Sequence, residues 1–424
     1  MYYGGGKTGK YLLKCLSSNA IIQDQYTLHY QDGALLQAVY EEDYKVDESQ
    51  SGLWKFHHWL PVTKPNDLVS GSRVYKAEAL GKSLGLEELW VAFHGYWPER
   101  NGICKTGSFK DLEAVPTIQR LVDHECSGII CASAGNTARA FTYHCGLAKI
   151  PLIVVVGQKH KNRIWVPHDH PTDSIQVIVL EDGDYQDAKD VAKALGGMMP
   201  NWQLEGGVHN VARRDGIGSL MLEAHHVMEG LPAHYFQAVS GGPGPIGVHE
   251  MASRIINSVE DESRLPVQHV AQNEGHAPIH SAWQDEREQL NADDFPNQIP
   301  EVFSDYLVNL SPAYGIKGGM HEVLSDSNGH TYAITTQEAQ AAKALFEKIE
   351  GIDIMSPGAV ALAALQQAVE KQIVHPNERI LLNISGGGVE RFKRENEWRV
   401  VEPLLVISKK EAMMPSIIER LEHR

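Results

Sequence analysis

The sequence predicts an α/β protein: two subdomains built on mostly parallel sheets, with a small β hairpin appendage at the N-terminus. Three observations carry that expectation. Short apolar runs such as 128–132 and 150–156 lack the polar alternation of a half-exposed strand, as befits strands covered on both faces. Helical segments, 109–122 and 137–147 among them, alternate with those runs. Several runs end in turns of Gly, Ser and Asn, at the place where open α/β sheets bind ligands.

In chain order, residues 11–13, 25–28 and 35–40 read as short strands, and Gln31-Asp32-Gly33 between the last two is a hairpin signal. Residues 1–50 are taken as the appendage, and the acidic, polar stretch 41–51 reads as a linker. From about residue 72 strand and helix alternate. Strands are expected at 89–93, 128–132, 150–156, 235–239, 267–271 and 380–384, and helices at 109–122, 137–147 and 187–195. Residues 51–90 and 231–424 are assigned to a larger subdomain, and 91–230 to a smaller, mobile one.

With 424 residues the chain can bury a large core, and 42% hydrophobic with 22% charged residues is the balance of a soluble globular enzyme. A net charge of −16 argues against a nucleic-acid groove or an anionic membrane surface. It leaves room for a local basic pocket. No apolar run approaches the ~20 residues of a membrane span, and the first residues lack a signal peptide's apolar segment. Cys15, Cys104, Cys126, Cys131 and Cys145 are odd in number and show no framework spacing. Free thiols in a cytoplasmic protein are expected.

Four turns have chemistry to offer. Lys110, in Thr106-Gly107-Ser108-Phe109-Lys110-Asp111, suits an amine held at an aldehyde cofactor. It equally suits an ordinary lysine in a helix's first turn. Ser133-Ala134-Gly135-Asn136-Thr137 follows an apolar run and opens a helix. Its N–H groups and hydroxyls suit a carboxylate, and a plain capped connection would look the same. Ser240-Gly241-Gly242-Pro243-Gly244-Pro245 brings backbone amides close to a phosphate, less the two donors that the prolines remove. A rigid Gly/Pro turn is the other reading. In Asn383-Ile384-Ser385-Gly386-Gly387-Gly388 the hydroxyl of Ser385 suits a ring nitrogen, unless this is only a strand-ending turn. Arg213 and Arg214, Lys317, and the Lys159, Lys161, Arg163 group are candidate anion clamps, or solvated charges. The histidines show no zinc-type spacing, so no metal is expected.

The order of these four turns resembles the fold-type II (tryptophan synthase β-like) family of pyridoxal-phosphate (PLP) enzymes, and the threonine synthase branch in particular. Trp54-Lys55-Phe56-His57-His58-Trp59-Leu60-Pro61, Gly95-Tyr96-Trp97-Pro98-Glu99 and Tyr314 to Gly319 are similar to segments of the cysteate synthase family, and the likeness runs from about residue 10 to 405. The resemblance implies a homodimeric enzyme with PLP as cofactor, bound by the larger subdomain. Its partners are a small amino-acid substrate and an anionic nucleophile. The implied reaction is β-replacement on an O-activated serine, O-phospho-L-serine, with sulfite. Lys110 is the implied Schiff-base lysine and proton shuttle. Asn136 holds the ring oxygen, Ser240, Gly241, Gly242 and Gly244 hold the phosphate, and Ser385 faces the ring nitrogen. Ser133, Ala134, Gly135, Asn136 and Thr137 take the substrate carboxylate, with Arg213, Arg214 or Lys317 for its second anion. Three departures stand out: the paired cysteines of the family's N-terminal ribbon are reduced to Cys15, Gly107 stands where a Cys is expected before the Ser, and the phosphate loop carries two prolines. Chemistry on O-phosphohomoserine, another nucleophile, or a degenerate binding protein are the alternatives.

Overall fold

The computed structural model describes residues 10–133, 135–258, 264–296, 298 and 300–422. Two sheets carry the α/β part. The larger has the strand order His330–Ile334, Val267–Asn273, His234–Ala238, Ile380–Gly387, Leu89–Trp97, Arg73–Lys76. Its first five strands are parallel and the edge strand Arg73–Lys76 is antiparallel. The smaller sheet, wholly parallel, has the order Trp202–Leu204, Gly128–Ala132, Leu152–Gly157, Ile175–Leu180, Leu405–Ile407. Every residue of Gly128–Ala132 and Leu152–Gly157 is buried, as their unbroken apolar runs foretold.

The subdomain boundaries fall differently from the expected ones. Leu89–Trp97 is an inner strand of the larger sheet, between Ile380–Gly387 and Arg73–Lys76. The C-terminal segment returns to the smaller side. Trp398–Val400 pairs with Trp165–Pro167, while Ile407, Ala412, Ile417 and Leu421 bury their apolar faces against Ile178, Leu180 and Val191. A contiguous 91–230 unit would leave that face without its cover.

The N-terminal sheet is real but is not the expected hairpin. Tyr11–Cys15 pairs antiparallel with both Ile21–Ile22 and Leu36–Tyr40, and Gln31–Gly33 is a single 3-10 turn. No strand forms at 25–28. Tyr26 has φ +58, which a ladder does not accept. Its ring is buried beneath the Arg120 guanidinium, 4.5 Å from the ring centroid.

Three helices stack between the sheets. Val211–Met228 lies between Lys110–Asp123 and Pro243–Ser258, and their apolar faces merge with strands of both sheets into one core. The approach is close enough to need glycine: a Cβ on Gly216 would stand 2.1 Å from the Leu112 carbonyl oxygen. At the far end of its helix from Lys110, Arg120 ties three elements together. Nε and Nη2 each donate to Asp24 at 2.7 Å, and Nη1 donates to Asn210 Oδ1 at 2.8 Å. Asn210 in turn caps Val211–Met228. Burial would raise the Asp24 carboxyl, but Arg120, His124 and Tyr11 outweigh it and hold it well below the usual carboxylate range.

Asp24→Ala strips a fully buried arginine of its counter-ion and should cost about 3–5 kcal/mol by chemical denaturation. Because the folded carboxyl lies below its unfolded value near ~3.9, its contribution is complete above about pH 4 and is lost as the pH falls further. Asp24→Asn should therefore flatten the acid limb of the stability curve.

Candidate functional site

The turn before Lys110 is bonded, backbone to backbone, to the end of the central strand Ile380–Gly387. Phe109 N donates to the Ser385 carbonyl at 2.9 Å, and Gly387 N donates to the Gly107 carbonyl at 3.1 Å. Met355 N closes the other side by donating to the Gly386 carbonyl at 2.9 Å. A Cβ on Gly386 would lie 2.8 Å from both the Gly107 oxygen and Met355 Sδ. Gly107 itself has φ +78, and a Cβ there would strike Val389 at 2.4 Å. A cysteine is therefore not accommodated at this position as the backbone stands. Asp111, fully buried, accepts from Thr106 N at 3.1 Å and Thr106 Oγ1 at 2.5 Å, so the turn is fixed from both ends. Lys110 is the first residue of its helix.

Asn136 opens the helix Asn136–Ala148 after the strand Gly128–Ala132. Arg139, one turn on and buried, joins it to the lysine turn. Nε donates to the Thr106 carbonyl and Nη2 to Asn136 Oδ1, both at 2.8 Å. Arginine only donates, so the Asn136 amide must present its NH2 on the other side, where Met355 Sδ lies 3.8 Å away. Ser133 Oγ accepts from Gly135 N at 3.3 Å, Thr137 is half-buried, and Ala134 lies outside the described residues. The larger side roofs this turn. Tyr306 packs on Gly135, and Arg163 pairs with Asp305 at 2.5 Å and stacks 4.6 Å from the Tyr306 ring centroid.

The Ser240 loop lies on the strand next to Ser385. His234–Ala238 and Ile380–Gly387 are paired only as far as Phe236 and Leu382. Beyond that the ladder stops, at the carboxyl edge expected to hold ligands. Ser240, Gly241 and Gly242 lead into the helix Pro243–Ser258, with Gly242 at φ +97. Both prolines fall in its first turn, where N–H groups have no partner within the helix. Under the crevice, Asn383 Nδ2 donates to Tyr235 Oη at 2.8 Å and Gln237 Oε1 at 3.1 Å. Burial pushes His94 down to about 4. Its neutral ring donates from Nδ1 to the Ile384 carbonyl at 3.3 Å and accepts from Ser72 at 2.8 Å.

The expected anion clamps are placed elsewhere. Arg213 is spent on Glu113 and Glu205. Arg214, fully buried, donates to Glu250 and to the carbonyls of Leu36 and Val208. Lys317 is exposed and paired with Glu322. Helix crossings set these partners, which a charge run in sequence does not display. Glu113 and Arg139, both missed by the sequence reading, are buried charged residues that bond to Lys110 and to the lysine and asparagine turns. A Glu three residues after Lys110, the spacing that brings two side chains to one helix face, was the available signal. Away from this crevice, donor atoms of Asp47, His57 and His58 lie within 4.8 Å of one another.

Residues 67–386 match the family model of pyridoxal-phosphate dependent enzymes. The cysteate synthase of Methanosarcina barkeri is 41% identical over 402 residues, 93% of this chain and 96% of that protein. That of Methanocella arvoryzae is 41% identical over 419 residues, 97% and 99% respectively. The chain belongs to the cysteate synthase family of pyridoxal-phosphate dependent enzymes. A pyridoxal 5′-phosphate-dependent aspartate racemase has the same fold, with a TM-score of 0.57 at 16% identity over 75% of this chain and 90% of that one. The crevice fits the family's cofactor. Ser108 Oγ is buried without a hydrogen-bond partner, in the lysine turn that Arg139 joins to the Asn136 amide. No helix among the described residues is long and apolar enough to cross a membrane.

Gly386→Ala should separate the two bonded turns. PLP affinity, read by absorbance titration, should fall at least about tenfold, with a stability loss of about 1–3 kcal/mol from overpacking. Gly197→Ala, whose added Cβ meets nothing within 4 Å, should leave both unchanged or gain up to about 1 kcal/mol of helix stability.

Proposed function

We propose that the protein is a PLP-dependent β-replacement enzyme that converts O-phospho-L-serine and sulfite to L-cysteate and phosphate. The observation that carries this reading is the bonding of the Lys110 turn to the Ser385 strand end, beside the Asn136 turn, in a chain this similar to the cysteate synthases over nearly its whole length. PLP supplies the electron sink that makes the substrate's Cα proton removable. Lys110 Nζ would hold the cofactor, and in the reaction it takes the Cα proton. The Asn136 amide would face the ring oxygen, Ser240 and the amides of Gly241, Gly242 and Gly244 would hold the phosphate, and Ser385 would meet the ring nitrogen. A neutral hydroxyl there, unlike a carboxylate, would not hold a proton on that nitrogen, a setting that suits replacement at the β carbon. Ser133 to Thr137, at the positive end of Asn136–Ala148, receive the substrate carboxylate.

The C–O bond to phosphate breaks, the C–S bond to sulfite forms, and the proton held on Lys110 returns to Cα. The second anion meets Arg139 in place of Arg213, Arg214 or Lys317. Arg139 is buried and makes no ion pair with a described carboxylate. Closure of the smaller side, latched by Arg163 on Asp305 and Tyr306, excludes water from the reacting carbon. We place the enzyme in the cytoplasm as a homodimer. Its five free cysteines suit a reducing compartment, and two-fold assembly is the commonest form of soluble oligomer.

Purified, PLP-loaded protein should release phosphate from O-phospho-L-serine and, with sulfite, form cysteate in equal amount. Lys110→Ala should lower the rate by roughly 10³-fold or more. Threonine from O-phosphohomoserine, with phosphoserine inert, would contradict the assignment.

A further inference from the structure

The Lys110 amine lies against a buried carboxylate to which the proposed function gives no role. Lys110 Nζ donates to Glu113 Oε1, three residues on in the same helix. Glu113 is fully buried. Its other oxygen accepts from Arg213 Nε at 2.8 Å and from Nη2, and Arg213 Nη1 reaches Glu205. The result is a file of alternating charge, Lys110, Glu113, Arg213, Glu205, running from the crevice into the packed helices. The other titratable groups facing it are Tyr185, which burial pushes up to about 12, and Cys131 and Tyr26, also raised by burial. All three are uncharged at neutral pH.

A carboxylate in such a place is costly to desolvate. Arg213 accounts for one of its oxygens; the other is turned to the lysine. When Lys110 acts as the base, its amine is within hydrogen-bond reach of Glu113. When the proton leaves Cα for Nζ, the electron pair stays on the substrate side and a positive charge forms at Nζ. A carboxylate at hydrogen-bond distance favours that protonated form. Burial pushes the Lys110 amine below the usual lysine range, Glu113 opposes the fall and Arg213 adds to it.

We propose that Glu113 is a positioning residue that acts through Lys110, stabilising the ammonium formed when Lys110 takes the substrate's Cα proton, while Arg213 holds Glu113 aimed at the lysine. The inference rests on the role given to Lys110 above.

The first test needs no cofactor. Cofactor-free protein is acetylated with limiting acetic anhydride across a pH series, and the labelling of Lys110 is read by peptide mass spectrometry. Removing a negative neighbour lowers the pH at which the amine becomes reactive. Glu113→Gln should therefore raise Lys110 labelling near neutral pH roughly tenfold, the effect of one close charge. The second readout is the loaded enzyme with Cα-deuterated phosphoserine, where the variant should show lower kcat, unchanged KM and a larger isotope effect. An unshifted labelling curve in a folded variant would overturn the proposal, as would wild-type kcat. If Glu113→Gln does not fold, Glu113→Asp should give a smaller shift of the same sign, and no shift would overturn it equally. Should the wild-type enzyme fail to exchange the Cα proton of phosphoserine with solvent, the role of Lys110 fails first, and the proposal with it.

Discussion

The site depends on one contact, backbone against backbone, between the turn 106–109 and the strand end 385–387. Two amides, one from each segment, close it, and the absence of side chains at Gly107 and Gly386 permits it. This contact brings the N-terminus of the Lys110 helix to the carboxyl edge of the larger sheet, beside the strand that leads to Ser240. Through Arg139 the same turn holds the Asn136 helix of the smaller side. Three chemistries widely spaced in sequence thereby share one crevice.

Buried ion pairs set the register of everything behind that contact. Asp24 with Arg120, Glu113 with Arg213, Arg214 with Glu250, and Asp215 with Arg254 lie along the three stacked helices and the appendage. Such pairs add little net stability, but breaking one strands a charge in a dry place, so they discourage any other alignment of the helices. The N-terminal sheet is part of the same scheme. Tyr11 donates to Asp24 at 2.5 Å and Tyr40 to Asp215 at 2.6 Å. The N-terminal segment is thus fastened by hydroxyls and carboxylates to the helices Lys110–Asp123 and Val211–Met228.

Much of this was legible in the sequence because local rules decide it. Fully covered strands read as unbroken apolar runs, and the turns that follow them read as glycine, serine and asparagine. The parts that were not legible are set across the chain. The apparent strand at 25–28 reflects the burial of Tyr26 against Arg120, not a ladder. Leu405–Ile407 joins the smaller sheet because only there do Ile407 and the residues after it find apolar cover. Arg213 and Arg214 looked like clamps because the carboxylates that face them lie on other helices, and Glu113 went unread because its partner Arg213 comes from Val211–Met228, packed over it.

The central claim is that Lys110 Nζ is the amine that carries the cofactor, at the junction of the two bonded turns. Reduction of the PLP-loaded protein with borohydride, followed by peptide mass spectrometry, tests it most directly, because reduction fixes the cofactor to whichever amine holds it. The account predicts a single phosphopyridoxyl adduct on Lys110, lost when O-phospho-L-serine is added before the reductant. An adduct on another lysine, such as Lys105 or Lys317, or none at all in protein that binds PLP, would contradict it.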